Sequence, residues 1–339
     1  MSFVGPLGLS VRDRTLEADT QAGLTAVEEG LLEATKSDVP FITEAAQHLV
    51  RAGGKRFRPL LVLLAAQFGD PHAPGVVPSA VVVELTHLAT LYHDDVMDEA
   101  EVRRGVSSAN ARWGNSVAVL TGDFLFARAS HILADLGPEA VRIQAEAFER
   151  LVTGQILETA GPRDGRDPVE HYLDVLAGKT GSLIAVSGRF GAMMSGADES
   201  VVSILTQYGE RLGMAFQLAD DVLDIASDSH ESGKTPGTDL REGVATLPVL
   251  YVREQAEATG SAEDRELCAL LAGDLTDDAR HAEVLRRLRS HPALERARRV
   301  TVRYAAEARS MLAPLPEGPA KAALEGLCDA VVHLSLIPI

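Results

Sequence analysis

The chain has 339 residues, of which 46% are hydrophobic and 24% charged, and its formal net charge is -17 at neutral pH. Those fractions belong to a folded globular protein and exclude a disordered chain, while the acidity excludes a nucleic-acid partner, because binding a phosphate backbone needs clustered Lys and Arg. Two cysteines, Cys268 and Cys328, make neither a disulfide framework nor a metal-ligand spacing, which fits a reducing cytosol and a cytoplasmic protein. The N-terminus lacks the Lys/Arg-then-apolar order of a signal peptide, and no run approaches the ~20 apolar residues of a membrane span.

Taken in chain order, the predicted elements are helices. Ala, Leu, Val, Glu and Arg dominate, apolar residues recur at spacings of three and four, and sustained period-two alternation is missing, so the fold is expected to be all-α. No linker interrupts the pattern, and residues 1–339 are expected to form one large helical domain, with 1–20 and 334–339 peripheral. Gly53 and Gly54 precede the one basic cluster, Lys55, Arg56 and Arg58, where a tight backbone turn lets cations project toward an anion. Breakers follow at 69–75. An apolar helix through Val81, Val82, Val83 and Leu85 then runs into Asp94, Asp95 and Asp98, and Arg103-Arg104-Gly105 comes five residues later. Residues 161–167 read as a loop, and Asp167-Pro168-Val169-Glu170 as a helix start, with an N-cap acid, Pro at the first position and Glu three after the cap. Ser195-Gly196 marks the next connection. A second apolar helix through Leu212, Met214 and Phe216 ends in Asp220, Asp221 and Asp224, and 227–243 reads as loop.

The two acidic clusters echo each other. Residues four apart share one helix face, so Asp94 with Asp98, and Asp220 with Asp224, each form a pair of like charges that destabilises a bare helix. A hard divalent cation between them resolves the repulsion, and magnesium prefers one or two protein carboxylates plus phosphate oxygens. A solvated acidic face would account for one such cluster, but poorly for two that both end apolar helices.

In this order the residues resemble the trans-isoprenyl diphosphate synthases, or polyprenyl synthetases. The match comprises Gly-Gly-Lys-Arg-Phe-Arg-Pro at 53–59, the aspartates at 94–98, Arg103-Arg104-Gly105, Gly122-Asp123, Gly154-Gln155, Lys179-Thr180, Phe216-Gln217, the aspartates at 220–224 and Gly-Thr-Asp-Leu-Arg-Glu-Gly at 237–243. The resemblance implies an antiparallel helical bundle around a central cavity, assembled as a homodimer, that condenses an allylic diphosphate with isopentenyl diphosphate. It implies that Asp94, Asp98 and Asp220 are ligands to magnesium, about three ions with substrate bound, and that Asp95, Asp221 and Asp224 orient water or ligands around them. Arg103, Lys179 and Lys234 would grip the allylic diphosphate, with Thr180 and Gln217 at the reacting centre. Lys55, Arg58, His87 and Arg104 would hold isopentenyl diphosphate; apart from the resemblance, His87 reads as a core histidine. The product would be greasy, so peripheral contact with a membrane is expected at release, without a span.

In short-chain relatives a large aromatic four or five residues before the first aspartate makes a floor for the tail. Here Thr90 and Ala89 stand there, with Thr86 and Val83 below them. From Thr90 to Val83 a helix descends about 10 Å, which leads to an expected product of roughly seven to ten isoprene units, C35 to C50, suited to a quinone side chain. Phe124, Phe126 and Phe148 are candidate plugs, and a plug from another helix would give a farnesyl or geranylgeranyl product instead. Val244 stands where many relatives carry a diphosphate-binding lysine, and the C-terminus lacks their basic tail. Three rivals are a terpene cyclase, disfavoured by the aspartates at 220–224 and the Lys55/Arg58 cluster; a silent subunit of a heteromeric synthase, which would lose acidic motifs; and a metal phosphohydrolase, which needs no deep apolar cavity.

Overall fold

A computed structural model describes residues 13–163, 165–227 and 236–335. The chain divides into two compact units, one formed by Met1–Glu149, Leu183–Gly209 and Met311–Leu327, the other by Arg150–Ser182, Glu210–Ser310 and Cys328–Ile339.

The first unit contains α1 (Arg14–Ala34), α2 (Pro40–Arg51), α3 (Phe57–Ala66), α4 (Val76–Met97), a hairpin of β1 (Val102–Arg103) and β2 (Val106–Ser107), α5 (Ala109–Trp113) and α6 (Asn115–Leu136). To these it adds the start of α7 (Pro138–Ala160), most of α9 (Ser182–Met194), the start of α10 (Glu199–Ala226) and part of α16 (Pro319–Ser335). Local chemistry starts several of these helices. Asp13 caps α1 by accepting from Thr15 N at 3.0 Å and Leu16 N at 2.9 Å, and Pro40 opens α2. The central helix is α4, packed on α1, α3 and α6. Its Val76, Val81, Val82 and Val83 are β-branched and weak helix formers, yet all are buried, so tertiary packing overrides their local preference. Tyr92 fastens α4 to α2: its hydroxyl donates to Ala45 O at 2.6 Å and accepts from Leu49 N at 3.3 Å.

The second unit takes the rest of α7, α8 (Pro168–Leu176), a π-helical turn (Ala177–Gly181), the end of α10, α11 (Thr238–Arg241), α12 (Leu247–Thr259), α13 (Ala262–Leu271), α14 (Asp278–Ser290) and most of α15 (Pro292–Met311). The predicted start of α8 is met: Asp167 accepts from Glu170 N at 2.9 Å and Pro168 is the first helical residue. Leu218, Val222 and Ile225 of α10 pack with Val252, Val284, Leu288 and Leu294 in one buried cluster, which holds the inner side of α10.

The all-α expectation is correct, with two local differences. Arg103 and Arg104 lie in a hairpin, an element not expected from the sequence, with Val102 opposite Ser107 and Arg103 opposite Val106. The two-residue turn, Arg104 (φ 54°) and Gly105 (φ 77°), has the positive φ pair that hairpin loops require. The expected loop 227–243 contains α11. Also, α6 is long and apolar enough on average to cross a membrane, a feature the search for continuous apolar runs passed over because Asp123 and Arg128 interrupt it. One side of α6 packs on α4, while Leu120 is 65% exposed on another.

Candidate active site

In the first unit the acidic cluster closes α4. Asp98 is the C-cap and its N–H donates to Asp94 O at 2.8 Å, so both carboxylates sit on the last turn. A helix C-terminus is itself partially negative, so the two charges are unfavourable there unless a cation answers them. Asp95 is different. It is fully buried and accepts from Arg103 Nε at 2.5 Å, which ties the arginine to the residue next to Asp94 and sets the direction of its guanidinium. Burial pushes the Asp95 pKa up and Arg103 opposes the rise.

The cation cluster lies behind this helix end. Arg56 opens α3 in a left-handed conformation and is buried, ion-paired with Glu28 and with Glu84 at 3.0 Å. Arg56 is therefore a structural arginine within the basic motif. Arg104, held at positive φ at a cost of about 1–3 kcal/mol, reaches Glu84 at 3.7 Å and donates to Leu49 O at 3.1 Å and to Gly53 O. Its guanidinium passes so near residue 54 that an added Cβ would stand 2.8 Å from Cζ, which is why the second glycine is needed. Arg58 is half-buried; burial pulls its pKa down to about 10, with Glu84 opposing and Arg104 adding to the fall. Lys55 is exposed. His87 belongs to this group: burial first, then Arg58, Arg104, Arg103 and Arg56, holds its pKa well below the ordinary value. The charges of these guanidinium groups disfavour the protonated imidazole, as burial does. Glu84, only 1% exposed, is the residue that sequence reasoning missed; a lone acid in a run of valines and leucines was the available signal.

In the second unit the π-helical turn carries Lys179 and Thr180. A Cβ at Gly154 would lie 2.6 Å from Lys179 N, so that glycine lets α7 press directly on the turn. Lys179 Nζ pairs with Glu158 at 2.6 Å. Thr180 donates to Gln217 Oε1 at 3.0 Å, Gln217 Nε2 donates to Asp221 Oδ1 at 2.9 Å, and Tyr172 donates to the other Asp221 oxygen. Asp224 receives the first amides of α11, Thr238 N at 3.1 Å and Asp239 N at 3.2 Å, so it anchors the following segment. Asp239, in the 237–243 motif but assigned no role from sequence, joins the acidic group. Burial, then Asp221, Asp224 and Asp220, push its pKa up to about 8. Burial likewise raises Asp221 to about 7, against the hydrogen bonds from Tyr172 and Gln217. Lys234 falls outside the described residues, and Val244 follows α11, its N–H donating to Asp239 O at 2.8 Å.

Among the described residues no three His, Cys, Asp or Glu side chains converge on one ion-sized site. The paired, crowded carboxylates nonetheless fit magnesium, which takes few protein ligands and completes its shell with water and phosphate oxygens. Of the chain-length residues, Ala89, Thr86 and Val83 are buried and Thr90 is half-buried. Thr86, Thr90 and His93 form one stripe of α4. Phe126 meets it at His93, ring centres 5.9 Å apart, and Phe148 stacks behind Phe126 at 4.3 Å, whereas Arg128 lies over the Phe124 ring. A cavity of about 590 Å³ between α2 and the hairpin, lined by His48, Arg51 and Arg112, holds none of the predicted residues.

Residues 39–288 match the family model for polyprenyl synthetase. The chain is 49% identical over 326 residues to a nonaprenyl diphosphate synthase of Mycobacterium tuberculosis, covering 96% of each. Among solved structures it is similar to a geranylgeranyl pyrophosphate synthase of Corynebacterium glutamicum complexed with calcium and isoprenyl diphosphate, with 46% identity, a TM-score of 0.85 and coverage of 96% and 98%. It is also similar to a decaprenyl diphosphate synthase of Rhodobacter capsulatus, with 35% identity, a TM-score of 0.84 and coverage of 94% and 98%.

The crowded carboxylates give a measurable pH dependence. An unfolded aspartate titrates near about 3.9, so a raised folded pKa contributes stability that is present below that value and is lost as pH rises to about 7 for Asp221 and about 8 for Asp239. Metal-free protein is expected to melt at progressively lower temperature across this window, and Asp221→Asn with Asp239→Asn is expected to flatten the slope. Thermal midpoints measured at intervals of pH check this; an unchanged slope in the double variant contradicts the charge crowding.

Proposed function

The chain belongs to the polyprenyl synthetase family of prenyltransferases, and we propose that it joins an allylic diphosphate to successive isopentenyl diphosphate units in the presence of magnesium. The observation that carries the reading is the gathering of Arg56 and Arg104 on Glu84 of the same helix that ends in the paired carboxylates Asp94 and Asp98. A diphosphate answers the first group, and a metal-bound diphosphate answers the second.

Asp94, Asp98 and Asp220 would hold magnesium, which supplies charge neutralisation to a departing diphosphate. Arg103, directed by Asp95, and Lys179 grip that leaving group as the allylic C–O bond breaks. Thr180, aligned by Gln217, turns its hydroxyl oxygen to the reacting centre. Lys55, Arg58, His87 and Arg104 hold isopentenyl diphosphate so that its double bond attacks the allylic carbon; the proton released from the new chain passes to the departing pyrophosphate. Tight grouping of these cations contributes by positioning as well as by charge. Residues 1–339 act as one catalytic domain in this reading, and the exposed apolar side of α6, with Val119 and Leu120, is the face on which a second copy docks.

A long product, C35 to C50, is supported by small Ala89 and Thr90 and by relatives named nonaprenyl, octaprenyl and heptaprenyl diphosphate synthases. One observation favours a shorter product of the geranylgeranyl class, the Phe126–Phe148 pair beside the Thr86–Thr90–His93 stripe.

Purified chain given an allylic primer, isopentenyl diphosphate and magnesium is expected to elongate the primer, and chelation is expected to abolish turnover. Asp94→Ala and Asp220→Ala should each lower kcat about a hundredfold or more with the fold intact; retained activity in either rejects its assignment as a ligand. Light scattering is expected to give twice the chain mass, and Leu120→Glu to halve it; a monomeric parent chain rejects the docking face.

A further inference from the structure

The side of α4 that faces the aromatic pair carries an unexpected polar contact. Gln144 of α7 is 6% exposed, and its Nε2 donates to Thr86 Oγ1 at 2.8 Å, while Thr86 donates onward to Val82 O at 2.9 Å. The other end of the amide, Oε1, is buried with no hydrogen-bond partner. A leucine would fill this place without that penalty, since an unsatisfied buried oxygen is unfavourable and a hydrocarbon is not. Gln144 and Phe148 are four residues apart on α7 and so share a face. The Thr86–Thr90–His93 stripe therefore meets aromatic rings at its upper level and an amide one to two turns below.

We propose that Gln144 is a length-determining residue, its amide acting as a gate that a growing isoprenoid tail displaces from Thr86 in order to extend further along α4. The proposal rests on the prenyl-transfer reading above. Thr86 lies eight residues before Asp94, which places it about 12 Å along the helix, the span of roughly two to three isoprene units beyond the one that bears the diphosphate. An apolar tail offers no hydrogen bond to either group, so passage requires the Gln144–Thr86 bond to open. The amide is anchored at one end only and can swing, whereas a packed aromatic at the same place would be a fixed floor. Products of about four units or fewer are then over-represented while the gate is closed.

The test compares chain-length distributions made by wild type, Gln144→Ala, Gln144→Leu and Gln144→Phe from an allylic primer and limiting isopentenyl diphosphate. The Ala and Leu variants are expected to lower the share of products of about four units or fewer by about threefold to tenfold, the range set by one hydrogen bond of ordinary net strength. The Phe variant is expected to stop elongation at that length. The near volume-conserving Leu variant keeps the test open if the Phe variant does not fold. Folded Ala and Leu variants with the wild-type distribution overturn the gate alone, whereas a wild-type chain that makes no isopentenyl-dependent product overturns both the gate and the reading beneath it.

Discussion

Guanidinium groups repel one another, and bringing several together inside a protein requires a carboxylate that is as poorly hydrated as they are. Glu84 on α4 is that carboxylate in the first unit: it is almost fully buried and lies 3.0 Å from Arg56 and 3.7 Å from Arg104. Arg56 fixes the start of α3 through the same contact, so Glu84 joins the helix that carries the aspartates to the loop that carries the cations. Glu28 adds a second carboxylate to Arg56, and Asp95 answers Arg103. Burial pulls Arg58 down to about 10, and burial with the nearby arginines holds the His87 pKa well below its ordinary value.

The second unit applies the same constraint with the opposite sign. Asp220 and Asp224 raise the proton affinity of Asp221 and, together with Asp221, that of Asp239, and Asp221 and Asp224 have neighbours fixed by hydrogen bonds. Thr180, Gln217, Asp221 and Tyr172 form one connected chain, and Asp224 anchors α11. Such a network is stable enough to fold and still negative enough to attract a divalent cation. A metal-bound diphosphate is the substrate chemistry that suits both charged groups, which is why the family assignment and the electrostatics agree.

Much of this was legible in the sequence because the signals were local. Asp167-Pro168 started a helix as its capping chemistry requires, the aspartates fell on helix ends, and the motif glycine at 54 proved to be the place where Arg104 passes. What was hidden depends on pairing across distance. Two-residue strands have no periodicity to detect, and Arg104 is an unusual occupant of a left-handed turn position, so the hairpin left no mark in the sequence pattern. Glu84 was hidden within an apolar run, and only the fold shows that its partners are arginines 28 residues before it and 20 after it in sequence. Asp239 looked like one member of a family motif, and its place among the acidic groups emerged from the return of α11 to Asp224. Gln144 had no sequence signal at all, since a glutamine in a mixed helix is ordinary until its buried partner is known.

Burial and the charges of Arg58, Arg104, Arg103 and Arg56 hold His87 in its neutral form, and a bound diphosphate is expected to offset those charges. The direct measurement is an NMR titration of the His87 imidazole, labelled at its ring carbon and assigned by its loss in His87→Asn, with and without isopentenyl diphosphate. The account predicts a pKa well below 6.5 in the free protein and a rise of about one unit or more in the complex, as the bound anion offsets the arginines. A free His87 that titrates at its ordinary value, or a pKa that the diphosphate leaves unmoved, would contradict it.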